Sequence, residues 1–245
     1  MISVCIPTYN GEKYIKEQLD SILSQLSDDD EIIISDDSST DNTVSIIKSI
    51  NDGRIQLLEN NQFKSPIFNL ENALKKAKGE YIFLSDQDDI WMPDKVEAIL
   101  KYLKLYDLCT SDCSLIDSNG NITEESYHKK KSRTGFWRNI IKNSYIGCCM
   151  AFRREVLDYV LPFPRKIPMH DIWIGLNVQL NGRDVFIDDK LILYRRHGNN
   201  ASFTGDIGGS QFSISYRIKY RIVLLFLLFK RNYRVVNRIA SFLSK

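Results

Sequence analysis

Three carboxylates, those of Asp86, Asp88 and Asp89, crowd into the stretch YIFLSDQDDIW directly behind an apolar run. Like charges this close raise one another's pKa values unless something positive sits among them. A divalent cation would do so. Mg²⁺ and Mn²⁺ prefer oxygen ligands and commonly complete their shells with phosphate oxygens and water, and the ion inverts the local pKa logic. Asp86 and Asp88 are therefore candidates for a metal–nucleotide site, and Asp89 for capping the helix that begins near Pro93. The bland alternative is a solvated loop, because an isolated D-x-D triplet carries little weight. What adds weight is the position of the other polar clusters along the chain.

Those clusters follow apolar runs at regular intervals. ISVCIP reads as a buried strand and is followed by TYN; EIIIS is followed by DDSSTD; RIQLLE comes next, and EYIFLS leads into DQDD. Between them lie helical patterns. GEKYIKEQLDSILSQL repeats apolar residues at helical spacing, STDNTVSIIKSI is capped around Ser39 or Thr40, PIFNLENALKKAKG closes on Gly79, and MPDKVEAILKYLK carries Pro93 near its first turn. Continuous apolar strands divided by amphipathic helices predict an α/β fold with a mostly parallel sheet covered on both faces. In such sheets ligands bind beyond the carboxyl ends of the strands, so the three polar loops are expected to converge on one rim.

After about residue 107 the rhythm changes. DLCTSDCSLID and NGNIT suggest strands joined by a turn at Asn119-Gly120, and SYHKKKSRTG reads as a basic loop. IGCCMAFRREVLDYV reads as a strand then a helix, HDIWIGLNVQLNG as a helix ending at Gly182, and DVFIDDKLILYR as paired strands. The expected division is 1–110 for a nucleotide-binding subdomain, 111–206 for an acceptor-binding and catalytic one, and 207–245 for a basic helical tail.

Composition narrows the class. With 245 residues, 43% of them apolar, the chain can bury a sizeable core. Net charge is only +2, yet residues 207–245 contain eight Lys or Arg and no acid. An acidic body thus carries a basic tail. The longest apolar run, Ile222 to Phe229, is far shorter than the roughly 20 residues of a bilayer span, and the N-terminus lacks the basic region of a secretory signal. The five cysteines show no CxxC spacing and read as buried, reduced thiols of a cytoplasmic chain. A dinucleotide oxidoreductase is excluded by the lack of GxGxxG after the first strand. Length and tail argue against a receiver-like signalling domain. Nucleic acid is not an expected partner, since no aromatic platform or groove-reading motif accompanies the basic residues.

The ordered series IPTYNGEKYI, ISDDSSTDNT, AKGEYIFLSDQDD, HDIW and LYRRHGNN resembles family-2 glycosyltransferases of the GT-A fold, over residues 1–205. It is most similar to bacterial polysaccharide rhamnosyl- and hexosyltransferases, which implies work on surface glycans such as O-antigen or capsule. The resemblance implies that Pro7, Tyr9 and Glu12 line the nucleoside pocket, with Tyr9 flanking the base. Asp37 would accept the pyrimidine N3–H, a donor that uracil and thymine share and cytosine lacks; Asp36 is left to hold the loop. Asn69 is a further donor-side candidate. Asp86 would meet the ribose or the metal shell. Asp88 would ligate Mn²⁺ or Mg²⁺ on the donor diphosphate, with His197 as a further ligand or phosphate contact.

The same likeness makes Asp171 the base, its dipeptide reading His170-Asp171 where an acidic residue commonly precedes the aspartate. Its helix-start position equally suits an N-cap. His170 and Trp173 are then acceptor-side candidates; Trp173 suits a sugar-stacking face or the core, and Trp91 a structural place. One displacement with one base implies inversion at the anomeric carbon. Expected partners are a dTDP- or UDP-linked donor and a glycan or lipid-diphosphate-linked acceptor; a nucleotide-sugar-binding protein without catalysis is the alternative. The acid-free tail suits the anionic inner face of a membrane, or else packs on the body or forms a dimer seam.

Overall fold

The computed structural model describes residues 1–127, 135–197 and 213–233. The basic loop around 128–134 and the ends of the tail, 207–212 and 234–245, lie outside the described residues. The first half alternates strands and helices: β1 (Ile2–Thr8), α1 (Ile15–Leu23), β2 (Glu31–Asp36), α2 (Thr43–Ile50), β3 (Ile55–Leu58), α3 (Pro66–Leu74), β4 (Tyr81–Leu84), β5 (Ile90–Trp91) and α4 (Lys95–Leu103). There follow β6 (Leu108–Ile116), β7 (Ile122–Glu124), α5 (Phe136–Ile141), β8 (Met150–Arg153), α6 (Leu157–Val160), α7 (His170–Asn181), β9 (Asp184–Arg195) and α8 (Ile214–Arg231).

One sheet of nine strands runs β3-β2-β1-β4-β8-β6-β9-β5, with β7 paired to β6. Its first part is parallel, β1 lying between β2 and β4 with β3 beyond β2. Its second part is mixed: β8 is antiparallel to β4 and β6, β9 is parallel to β6, and β5 is antiparallel to β9. Alternate residues along each strand feed opposite faces. Val4, Ile6, Ile32 and Ile34 pack with α1 and α4, whereas Cys5, Ile33, Ile82 and Leu84 pack with α3, α7 and Leu224 of α8. Both faces are covered, which explains why the central strands read as unbroken apolar runs.

Several boundaries differ from the sequence reading. DVFIDDKLILYR is one strand, not a pair; its register against β6 shifts between Thr110 and Asp112, and the exposed Asp188, Asp189 and Lys190 fall at this irregularity. The cap of α2 is Asn42 rather than Ser39 or Thr40. α3 ends at Leu74, and Gly79 serves close packing instead, since a Cβ there would lie 2.5 Å from the Ser3 amide nitrogen. Neither α5 nor the short β5 was foreshadowed by the pattern. All five cysteines are buried and none forms a disulfide. Among the described residues no helix is long and apolar enough to cross a membrane.

Candidate active site

Because β1, β2 and β4 run parallel, their carboxyl ends reach one rim, with Thr8 level with Asp36. The loops leaving that rim enclose a cleft of about 790 Å³. Pro7, Tyr9, Asp37, Asn69, Asp86, Asp88, His170 and Asp171 all line it. The cleft therefore gathers eight of the residues that the sequence singles out. Glu12 is not in its lining: its Oε2 accepts from the Asn42 backbone N–H (3.0 Å) and Nδ2 (2.8 Å), tying the approach to α1 to the start of α2. Trp173 is also placed elsewhere. It is fully buried and its Nε1 donates to the Val160 carbonyl at 2.9 Å, so it offers no face to a sugar. Trp91 is buried against Phe83, a structural place.

On the β1–β2 side the carboxylates organise the backbone. Asp36 is buried and accepts from Thr8 Oγ1 (2.9 Å) and from the Ser39 N–H (2.8 Å), which holds the loop after β2. Asp37 accepts from the Phe63 N–H at 2.6 Å and the Ser65 N–H at 3.3 Å, drawing the segment before α3 to the cleft. Asn69, on the first turns of α3, donates to the Thr8 carbonyl at 3.1 Å and keeps its Oδ1 buried without a protein partner. Tyr9 is mostly exposed, and its backbone is clamped by Gln87, which accepts from the Tyr9 N–H (2.9 Å) and donates to its carbonyl (3.1 Å). Gln87 thus fastens the DQDD loop to the end of β1, a role its sequence context does not announce.

The DQDD loop is held by two buried cations that sequence reasoning missed. Lys95, at the start of α4, is fully buried, donates to the Cys148 carbonyl at 2.8 Å and lies 4.2 Å over the Trp91 ring. Burial pushes its pKa down to about 8, against the pull of neighbouring thiols and Asp89. Arg195, the last residue of β9, donates its backbone N–H to Asp89 Oδ1 and its Nε to the Asp88 carbonyl, both at 2.9 Å. Its far end meets Glu17 at 2.6 Å and its guanidinium lies 4.4 Å over Tyr14. The His197 ring stacks on the same Tyr14 and its Nε2 lies 2.8 Å from Asp88 Oδ2. His197 therefore meets the cleft through Asp88.

Positive charge from Lys95 and Arg195 only partly answers the crowding. Burial, then the charge of Asp88, raises Asp86 to about 7, and the same two causes hold Asp89 well above the ordinary carboxylate range. Oxygens of Asp86 and Asp89 and the Cys148 sulfur lie within 4.8 Å of one another. The carboxylate oxygens, and carboxyl shifts of the sign a cation would reverse, fit a hard divalent ion, whereas the Cys148 sulfur does not; Asp88, with the His197 imidazole behind it, lies outside that group. Asp89, expected as a cap, instead receives β9; α4 begins after Asp94 with no side-chain cap.

Opposite this loop, α7 begins at His170, with Met169 rather than Asp171 in the capping position. Asp171 sits in the first helical turn, almost fully buried, and accepts from Asn143 Nδ2 at 3.2 Å. Burial lifts its pKa to about 6, a range suited to a base at neutral pH. His170 is neutral, its pKa pushed down to about 4 by burial, and its Nε2 fills the space a Cβ on Gly147 would take. Cys148 and Cys149 are buried beside these residues and do not line the cleft.

Comparison with known proteins bears on family and fold. The family model for glycosyl transferase family 2 matches residues 3–161. The dTDP-rhamnosyl transferase RfbG of Shigella flexneri is 31% identical over 229 residues, covering 87% of this chain and 76% of that protein. The UDP-Glc:alpha-D-GlcNAc-diphosphoundecaprenol beta-1,3-glucosyltransferase WfgD of Escherichia coli is 28% identical over 183 residues, covering 73% of this chain and 69% of that protein. The crystal structure of TarS residues 1–349 from S. aureus, in complex with UDP-GlcNAc, superposes with a TM-score of 0.68 at 20% identity, covering 95% of this chain and 72% of that one. The last likeness speaks for the shared GT-A fold.

Proposed function

The chain belongs to glycosyl transferase family 2, and on that premise we propose that it moves a hexose or rhamnose from a UDP- or dTDP-linked donor to a glycan or lipid-diphosphate-linked acceptor, inverting the anomeric carbon. The observation that carries this reading is the single cleft in which Asp37, Asp86 and Asp88 face the same space as Asp171. The donor class draws support from the names of RfbG and WfgD, the acceptor class from that of WfgD. Work in bacterial surface polysaccharide synthesis is part of the same proposal, supported by the lipid-diphosphate-linked acceptor in the name of WfgD.

On this reading residues 1–110 form the donor side, 111–206 the acceptor side, and 207–245 an accessory tail. Tyr9 and Pro7 flank the base. Asp37 accepts the pyrimidine N3–H with capacity left over from its two backbone contacts, since a carboxylate offers about four lone-pair sites. Asn69, with its buried Oδ1 unpartnered in the protein, is a donor-side contact. Asp88, with His197 beside it, would hold Mn²⁺ or Mg²⁺, and Asp86 would meet the ribose or the metal shell. When bound, such a cation neutralises charge growing on the diphosphate leaving group. Asp171 takes the proton from the acceptor hydroxyl as its oxygen bonds to the anomeric carbon and the bond to the diphosphate breaks on the opposite face. His170, kept neutral beside it, shapes the acceptor space.

The test is a screen of UDP-, dTDP- and GDP-sugars with Mn²⁺, reading nucleotide release. At least one UDP- or dTDP-sugar is expected to turn over in the wild-type chain, and Asp88→Asn to abolish that metal-dependent use. Unchanged rates in Asp88→Asn would remove the metal assignment, and no turnover of any donor despite tight nucleotide binding would leave a binding protein.

A further inference from the structure

α8 lays one side on the body and leaves another bare. Leu224 and Leu228 are fully buried in the core shared with α7. Arg231 donates to the Leu161 and Pro162 carbonyls at 2.6 Å, and Asn232 bonds Asn177 and Asn181 of α7. On the far side stand Ile218, Ile222, Phe226, Phe229 and Tyr233, all exposed; Phe226 is 64% exposed. At about 100° per residue these five fall within an arc of about 80°. Exposed Lys219 and Lys230 both lie just beyond one edge of that arc.

α5 extends the same bare surface. Arg221 Nε donates to the Ile140 carbonyl at 2.8 Å, which draws the end of α5 alongside α8. There Trp137 and Ile141 are 62% and 68% exposed, next to exposed Arg138 and Lys142. No acid occurs in α5, in α8, or between Ile207 and Lys245. Scattered exposed hydrophobics are ordinary, but apolar side chains gathered on one helix face and bordered by one sign of charge mark an interaction surface.

We propose that the α5–α8 face, led by Trp137, Ile141, Ile222 and Phe226, docks the protein onto an anionic lipid surface. Its chemistry fits that occupant: apolar and aromatic side chains enter the headgroup region while lysines and arginines meet anionic headgroups. A second copy fits poorly, because a two-fold pairing of this face would set its lysines and arginines against like charges with no carboxylate on α5 or α8 to answer them. The helix lies on a membrane and does not span it. α7 joins this face to the cleft, since Asp171 opens the helix on which α8 is seated. Docking would therefore hold Asp171 near an acceptor carried on a lipid diphosphate, a consequence that rests on the transferase reading.

Flotation of the full chain with phosphatidylcholine vesicles, with or without phosphatidylglycerol, tests this. Binding is expected only with phosphatidylglycerol, weakened by salt. Trp91 and Trp173 are buried, so Trp137 should supply a fluorescence blue shift on docking, absent in Trp137→Phe. Ile222→Ser with Phe226→Ser should weaken vesicle binding at least about tenfold while nucleotide binding in lipid-free solution stays unchanged, which separates this proposal from the catalytic one. No binding to anionic vesicles, undiminished binding by the double variant, or a dimer in solution that the double variant dissolves would each overturn it.

Discussion

Asp171 concentrates the chemical argument at the residue scale. Its folded pKa of about 6 stands above the ordinary 3.8 because of burial. A base acts as the carboxylate, so transfer should rise with pH through about 6 and then level. Asp171→Asn should cut transfer about 10²–10⁴-fold while nucleotide affinity is kept; full transfer activity would place the base elsewhere. The same shift has a cost in stability. An acid whose folded pKa is raised contributes stability below its unfolded pKa that is lost as pH rises through the folded value. At pH 7 the substitution should therefore stabilise the fold by about 1–3 kcal/mol, seen as a higher thermal midpoint that vanishes near pH 3. Asp37, Asp86 and Asp88 were legible as rim residues because each follows a strand within a polar motif, whereas Asp171 was named only through the resemblance to family 2. Gln87 and Arg195 were not, since their partners lie 78 and 107 residues away. Of the two readings for Trp173 the structure takes the core, because α7 is buried over its first nine residues, polar ones included, which apolar spacing does not announce.

Among the elements, β9 matters most, since its last residue fixes the loop that carries the carboxylates. Arg195→Lys keeps a charge but not the planar fork that reaches Asp88, Glu17 and the Tyr14 ring. Metal-dependent donor turnover should fall about tenfold or more with the fold retained in circular dichroism; unaltered turnover would show the loop to be self-supporting. Helix α8 is a separate matter. Leu228→Ala should destabilise the protein by about 2–5 kcal/mol, because Leu228 is fully buried in the core it shares with α7. A change within error would mean that the helix packs loosely in solution. The first four strands and the four helices of the alternating half could be read from apolar runs and helical spacing. β5, with two residues, is too short to show a period, and the polar Asp188–Lys190 step inside β9 imitates a turn. α5 has six residues and rests against α8 and α7, so its helicity depends on distant partners.

For the whole molecule, charge and architecture separate the tasks. Residues 1–206 carry a formal −6 and the remainder +8, so the acidic cleft and the basic α8 surface pull on different ligands. Parallel strands could be inferred from the sequence, and with them the rim. The mixed order of β8, β6 and β9, which brings Arg195 back to that rim, comes from long-range pairing that no local pattern encodes. The central claim is that carboxylates of the DQDD loop hold a cation and, through it, a nucleoside diphosphate. Titration calorimetry of UDP and dTDP into the wild-type chain and Asp88→Asn, with Mn²⁺ and then with excess chelator, tests it most directly. The account predicts that one nucleotide binds with Mn²⁺ and loses at least about tenfold in affinity on chelation or in Asp88→Asn. Equal affinity in all three conditions would contradict it.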